Sequence, residues 1–525
     1  MVGRSSSGRS AGAWWVLSAL IAAVAGAVQA LAYSPQELGC ASAWWLQALA
    51  VVVLAGCVRR CDRPWQGACI GWVFGVSWLA VATGWLFISM HRYGGLSATL
   101  AGLAVFALSA ALALFLGVAL MLFVRWRHGR AGVDAVLFAA LWLLAEWARG
   151  VWFTGFPWAA SGYAWVESPL APLAPWVGVY GIGAVAAGLA AWVGLSRSLA
   201  GLGVALCGSS VLLAGVSLAG AADFTATAGT MPVTLLQGNV PQNEKFLASN
   251  VVRQLQWYGD ELTAAPKGLV VAPETAIPVL PVMLPDAFWP ALQAVFMQPG
   301  RAALVGVPLG DERAGYTNSV VGLSADVGLS AGAASVGFGY RYSKHHLVPF
   351  GEFIPWGFRW FVRLMNIPLG DFDRGVLNQP SFAALGQRIA PNICYEDVFG
   401  EELAVRMRDV ATAPTVFANL SNIGWFGRSL AVEQHLQMSR MRTLELQRPM
   451  IRATNTGATA VIDHRARVVA SLRPHTQGVL HAQVEGRAGI TPYAWWVGRL
   501  DLWPLAGGAV LVIAWVRRRR LQGRP

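Results

Sequence analysis

Seven apolar runs follow one another through the first 222 residues, at about 12–32, 42–58, 68–90, 96–124, 133–150, 176–195 and 199–221. A helix that crosses a bilayer needs roughly 20 apolar residues, within about 17–25, and all seven runs reach that range. A soluble core has no room for so many. An eighth run, 502–516, is shorter but extends back through Trp495 and Trp496, residue types suited to headgroup depth. Between the seventh and eighth runs the chain changes character, and residues 223–499 mix polar, charged and apolar types as a globular domain does. The overall 55% hydrophobic and 13% charged content therefore averages two kinds of chain. The expected organisation is a polytopic α-helical domain over 1–222, a globular domain over 223–499, and an eighth span with a basic tail over 500–525.

Arginine placement orients the chain. Arg4 and Arg9, Arg59, Arg60 and Arg63, Arg125, Arg127 and Arg130, Arg197, and the tail Arg517 to Arg520 all fall on one side of the alternating spans. The loops of the other side hold only Arg92 and Arg149. The positive-inside rule makes the first side cytoplasmic, with both termini there and residues 223–499 outside. Arg4 and Arg9 would also suit a signal peptide, but no small-residue cleavage site follows and further spans do, so the first run reads as a retained anchor. The net charge of +12 lies largely in these juxtamembrane clusters, which argues against nucleic acid as a partner. Asp134 and Glu146 are the conspicuous acids within the spans, too few for a transport path, and Glu146 reads as a local partner of Arg149.

Residues 223–499 alternate short β-rich runs with amphipathic helical ones. Strands are expected at 232–237, 269–272, 303–307, 319–323, 388–393, 415–418, 450–454, 458–462 and 479–484, and helices at 245–263, 286–298, 401–408 and 431–447. That order describes a mixed α/β domain with buried central strands. Residues 323–339, rich in Gly, Ser and Ala, read as a flexible insertion.

Six cysteines are present, and Cys394 stands alone in the outward domain, without a partner for a disulfide there. It closes the apolar run Ile389–Ile393 and opens the acidic stretch Cys394-Tyr-Glu-Asp397. A solitary cysteine is ordinarily a small buried apolar residue. Its company here is different. Glu274 ends Leu269-Val-Val-Ala-Pro-Glu, where a partly buried carboxylate could act as general base for a thiol. Lys344 opens the turn-forming, apolar Lys344-His-His-Leu-Val-Pro-Phe-Gly-Glu352, and an ammonium there could hold a tetrahedral oxyanion. Each of these alone reads equally as a loop residue, and Glu352 as an orienting or merely structural carboxylate. Adjacent His345 and His346 point apart in an extended segment and lack an accompanying carboxylate cluster, so no metal is expected, and His435 on its helix reads as structural. No Gly-rich phosphate loop, Gly-x-Ser-x-Gly or His-Glu-x-x-His occurs to support another chemistry.

Taken together, the motifs resemble the apolipoprotein N-acyltransferase family, the integral-membrane branch of the nitrilase superfamily, along almost the whole chain. They are Leu236-Gln-Gly-Asn239 with Gln242 and Lys245, Pro273-Glu274-Thr-Ala, Tyr316-Thr-Asn318-Ser, Tyr342-Ser-Lys344 through Glu352 and Pro355, Cys394-Tyr395-Glu396, Ser421-Asn-Ile-Gly-Trp425-Phe-Gly, and Arg452-Ala-Thr-Asn455-Thr-Gly457. The resemblance implies eight spans and a nitrilase-like αββα sandwich. It also implies Glu274 as general base, Lys344 as oxyanion stabiliser, Cys394 as nucleophile, and Glu352, Tyr395 and Glu396 in support. The sequence departs from the family pattern at Phe246 and Ala272, where tryptophan is usual, and at Ile423, where aspartate is usual. The aromatic at 246 preserves a lipid-contact role, and Ile423 removes a polar one.

The implied activity is N-acylation of the diacylglyceryl-cysteine at the N-terminus of apolipoproteins through a thioester on Cys394, with a membrane phospholipid, by analogy phosphatidylethanolamine, as donor. No cofactor is implied. The implied setting is the bacterial inner membrane with the catalytic domain periplasmic, and a monomer is expected. The alternative on the same triad is a membrane-tethered carbon–nitrogen hydrolase that passes the acyl group to water. Phe350, Phe353, Trp356, Phe358, Trp360 and Phe361 favour lipid substrates, and Asn318 and Trp425 join the supporting residues. The loop from His345 to Phe361 is expected at the membrane–water interface as a mobile lid, with Phe353 and Trp356 on lipid.

Overall fold

The computed structural model of the chain describes residues 7–220, 222–327, 338–362 and 371–522. Contacts divide it into two compact units, Met1–Leu86 with Ala98–Ala222 and Leu500–Pro525, and Phe87–Ser97 with Asp223–Arg499. Residues 87–97, which their hydropathy places in the membrane domain, thus group with the globular unit. There Tyr93 meets Trp425 edge-on, ring centres 5.8 Å apart.

The first unit contains the long helices Ser7–Leu31, Trp44–Arg59, Pro64–Ala82, Ala98–Trp126, Ala131–Val151, Ala174–Leu195, Leu199–Ala219 and Trp503–Gln522. Among the described residues six helices are long and apolar enough to cross a membrane. Trp44–Arg59 is shorter, and Trp503–Arg520 follows Pro492–Leu500 at a bend of 91°. The expected run at 68–90 ends early as a continuous helix, at Ala82, where Thr83 and Gly84 follow, and the Thr83 hydroxyl donates back to the Leu79 carbonyl (2.8 Å). Lipid supplies no hydrophobic drive between helices, so close backbone approach has to. Gly67, Gly71 and Gly75 form a stripe against Ala98–Trp126, where an added Cβ would lie 2.6 Å from the Leu120 carbonyl oxygen, 2.9 Å from that of Leu116 and 2.9 Å from the Ala113 Cβ.

Between helices Ala131–Val151 and Ala174–Leu195 the backbone forms only short 3-10 turns and irregular segments, and its part at 157–166 is buried and needs internal partners. Glu146 and Arg149 supply them. Glu146 accepts from the Ser161 N–H (2.7 Å) and hydroxyl (2.6 Å), and Arg149 donates to the carbonyls of Phe156 (2.9 Å) and Trp158 (2.7 Å). The two also pair with each other at 3.6 Å.

The second unit holds two six-stranded sheets. Its strands are β1 (Thr225–Gln237), β2 (Gly268–Ala272), β3 (Arg301–Asp311), β4 (Gly315–Ser324), β5 (Tyr340–Ser343), β6 (Phe382–Ala384), β7 (Gln387–Ile393), β8 (Val416–Ser421), β9 (Met450–Thr454), β10 (Ala460–Ile462), β11 (Val468–Ser471) and β12 (Gly478–Gly489). The orders are β12-β1-β2-β3-β4-β5 and β11-β10-β9-β8-β7-β6. The central pairs β1–β2, β2–β3, β7–β8 and β8–β9 are parallel. Alternate residues of the two sheets, such as Val233, Leu269 and Leu304 from one and Ile389, Val416 and Ile451 from the other, share one apolar core. The opposite face of the first sheet is covered by helices Ala248–Ala264 and Phe288–Phe296, and that of the second by helix Ala431–Leu446. The layering is helix, sheet, sheet, helix.

The short edge strands β5, β6 and β11 carry too few residues for a period of two to show in sequence. Most of the Gly/Ser/Ala-rich stretch 323–339, namely 328–337, lies outside the described residues.

Candidate active site

Five turns at the C-terminal ends of strands converge here, the place where open α/β sheets form their crevices. Glu274 follows β2, Lys344 follows β5, Cys394 follows β7, Asn422 follows β8 and Asn455 follows β9. Lys344 is 1% exposed, and its Nζ lies 2.9 Å from the Glu352 carboxylate and 3.5 Å from Oε1 of Glu274. Asn318 Nδ2 donates to Oε1 of both glutamates, at 2.7 Å to Glu274 and 2.8 Å to Glu352. The remaining oxygens are also engaged: Glu274 Oε2 accepts from the Asn422 N–H (2.8 Å) and Glu352 Oε2 from the Val348 N–H (2.8 Å). One ammonium and one amide thus hold two buried carboxylates in fixed orientations. Burial alone would lower the Lys344 pKa, but Glu352 and then Glu274 outweigh it and raise it, so the ammonium stays charged.

Cys394 adopts the left-handed conformation, φ +51°, at a sharp turn from β7 into the 3-10 helix Cys394–Val398. Glu396 braces the turn. Its Oε2 accepts from the Ile393 N–H (2.6 Å) and the Tyr342 hydroxyl (2.9 Å), and its Oε1 from the N–H groups of His345 (2.7 Å) and His346 (3.2 Å). The Cys394 turn and the Lys344 loop are therefore clipped together by one carboxylate. Burial pushes the Cys394 thiol up to about 12, with the Glu274 carboxylate acting in the same direction and Lys344 opposing. A resting thiolate is disfavoured.

The other sequence-predicted residues divide. Tyr395 packs its ring on Phe399 and His346, centres 5.1 and 5.7 Å apart, and lies outside the carboxylate cluster. Phe246 is 43% exposed and Trp356 98%, whereas Phe353 is half-buried beneath the Arg374 guanidinium (4.9 Å). Phe361 and residues 363–370 of that region contribute no described side chains. His345 Nδ1 meets the Gly375 carbonyl (2.7 Å), and His346 Nδ1 meets Glu402 (2.8 Å). Ile423 is buried among Val432, Leu436, Ala460 and Ile462, so apolar packing is its role, while neighbouring Asn422 carries the polar contacts.

Gln242, Lys245 and Asn455 are members of the sequence motifs, but sequence alone assigns them no role. Asn422 Nδ2 donates to Gln242 (2.8 Å), Asn455 Nδ2 to Asn422 Oδ1 (3.0 Å), and Lys245 Nζ to the Glu274 carbonyl (3.3 Å). Burial pulls Lys245 down to about 8, against the pull of Glu274 and Cys394. Its rarity was the signal: only three lysines occur in residues 223–499, and two meet at this site.

Residues 25–192 match the family described as the apolipoprotein N-acyltransferase N-terminal domain, and residues 233–493 match the carbon–nitrogen hydrolase family. The chain is 51% identical over 480 residues to an apolipoprotein N-acyltransferase of Verminephrobacter eiseniae, covering 87% of this chain and 88% of that one. Identity is 45% over 470 residues to the enzyme of that name from Ralstonia nicotianae, covering 88% and 87%. With the Bordetella bronchiseptica protein of the same name it is 40% over 542 residues, covering 96% and 98%.

Proposed function

The chain belongs to the apolipoprotein N-acyltransferase family, and we propose from its site how it N-acylates apolipoproteins: through a thioester on Cys394, in two steps. A phospholipid ester carbonyl enters beside Cys394. The thiol proton passes to Glu274 while sulfur forms a bond to the carbonyl carbon, and Lys344 with neighbouring N–H groups holds the oxyanion. The C–O bond breaks, the lysophospholipid oxygen takes the proton from Glu274, and the acyl group remains on sulfur. The free α-amine of a diacylglyceryl-cysteine then attacks the thioester, its proton goes to Glu274, the C–S bond breaks, and the thiolate is reprotonated. The observation that carries this reading is the buried ammonium of Lys344 between two carboxylates. Glu352 and Glu274 raise its pKa, so it stays a positive charge suited to an oxyanion and poorly suited to acid–base work. The hydrolase alternative gives way, because the N-terminal match and the full-length relatives are transferases.

Phosphatidylethanolamine as donor, a periplasmic catalytic domain with both termini in the cytoplasm of a bacterium, and a monomeric enzyme complete the proposal. Eight spans do as well: Trp44–Arg59 and the bent C-terminal pair join the six longer helices, the shorter one met by local thinning of the bilayer.

The test is covalent. Incubation with acyl-labelled phosphatidylethanolamine should leave a hydroxylamine-sensitive label on the protein that a diacylglyceryl-cysteine peptide removes. Cys394→Ser should carry none, and a hydroxylamine-sensitive label on that variant would overturn the thioester.

Loop 345–361 supplies a second expectation. Trp356, almost wholly exposed, offers its ring to lipid, whereas half-buried Phe353 also packs. Trp356→Ala should slow phospholipid acylation severalfold at unchanged thermal stability, and Phe353→Ala should lower both. A wild-type rate in Trp356→Ala would move the lid elsewhere.

A further inference from the structure

Behind Cys394 lies a second buried polar cluster that the acyl-transfer steps do not use. The Cys394 carbonyl accepts from two side chains on different elements, Asn419 Nδ2 of β8 (3.1 Å) and His435 Nε2 of helix Ala431–Leu446 (3.2 Å). His435, 1% exposed, also places Nε2 2.7 Å from Oδ1 of Asp397. Its Nδ1 lies 3.1 Å from Nη2 of Arg452, whose Nη1 is 2.9 Å from the other Asp397 oxygen. Ser439 closes the cluster on the same carboxylate oxygen.

Arginine only donates, so Nδ1 of His435 accepts and the ring proton sits on Nε2. That N–H is shared between Asp397 and the Cys394 carbonyl. Both ring nitrogens are committed to these partners, so His435 is not a base for the thiol, although an Asp–His pair beside a cysteine invites that reading.

Its target is the Cys394–Tyr395 peptide. The carbonyl oxygen and the following N–H belong to one amide, and donors on the oxygen polarise the N–H, since hydrogen bonds in a chain strengthen one another. The N–H just after a nucleophile on a sharp strand-to-helix turn is the one such sites use for the oxyanion. We propose that His435, held by Asp397 and Arg452 and assisted by Asn419, is a positioning residue for acyl transfer: it fixes and polarises the Cys394–Tyr395 peptide as an oxyanion donor opposite Lys344. The inference rests on the reading of Cys394 as nucleophile.

Two chemistries on the same sulfur test it. Acylation by phospholipid passes through an oxyanion, whereas alkylation by iodoacetamide does not. His435→Ala leaves Arg452 and Ser439 as partners of the Asp397 carboxylate. Acyl-enzyme formation should fall about tenfold in kcat at unchanged KM, less than the roughly 10²–10³ for removing an oxyanion donor itself. Iodoacetamide should alkylate Cys394 at the wild-type rate. In His435→Gln the amide N–H₂ can reach the Cys394 carbonyl, and most of the acylation rate should return. Equal losses of acylation and alkylation would mean that His435 only packs, and an undiminished acylation rate in His435→Ala would remove it from the reaction. Absence of label on the wild-type enzyme would instead sink the thioester reading beneath it.

Discussion

Replacing Lys344 by Met should reduce acyl-enzyme formation by roughly 10²–10³-fold, the effect of removing one oxyanion donor from a preorganised site. It should also destabilise the globular unit. Glu274 and Glu352 are 7% and 6% exposed, share Asn318 Nδ2, and both lie against the ammonium. Breaking a buried pair by removing one partner costs about 3–5 kcal/mol. Lys344→Met should therefore melt at a lower temperature than the wild type. The double variant Lys344→Met with Glu352→Gln separates the two roles. It removes the extra buried charge, so thermal stability should return toward wild type while acylation stays low. Recovery of both would show that Lys344 matters only as a counter-ion.

Glu274→Gln should move two reactions of one sulfur in opposite directions. A thiol pushed up to about 12 leaves on the order of one molecule in 10⁴ as thiolate at pH 8. Alkylation of wild-type Cys394 by iodoacetamide should then be slow and still climbing at pH 10, because thiolate grows with pH until the pKa is passed. After burial, the Glu274 carboxylate is the leading cause of that rise. Its removal lowers the thiol pKa and should speed alkylation at pH 8. Acylation by phospholipid should fall by about 10²–10⁴-fold, the usual contribution of a general base. Measured side by side on one preparation, the two rates distinguish a base from a structural carboxylate. If alkylation and acylation fall together, Glu274 only shapes the site.

The chain by itself determined a good deal. Hydropathy separates 1–222 from 223–499 because span length is set by the bilayer, a constraint that acts locally on sequence. Glu274, Lys344 and Cys394 were legible for a related reason: Glu274 and Cys394 each end a short strand-like run, Lys344 opens a turn-forming one, and each is chemically conspicuous against a sparsely charged background. Three things were decided only by tertiary structure. Residues 87–97 carry no signal that they leave the helical unit, because their partner Trp425 lies more than 300 positions along the chain. Ile423 departs from the family motif, but Asn422 beside it makes the polar contacts and the isoleucine packs among apolar side chains. His435 gives no signal in its helix of more than structure, and gains meaning only where β7, β8, β9 and that helix bring Cys394, Asn419, Arg452 and Asp397 around its ring. Periodicity and motif spacing are properties of neighbours in sequence. A hydrogen bond to the far side of a nucleophile's peptide belongs to neighbours in space, and the fold alone creates those.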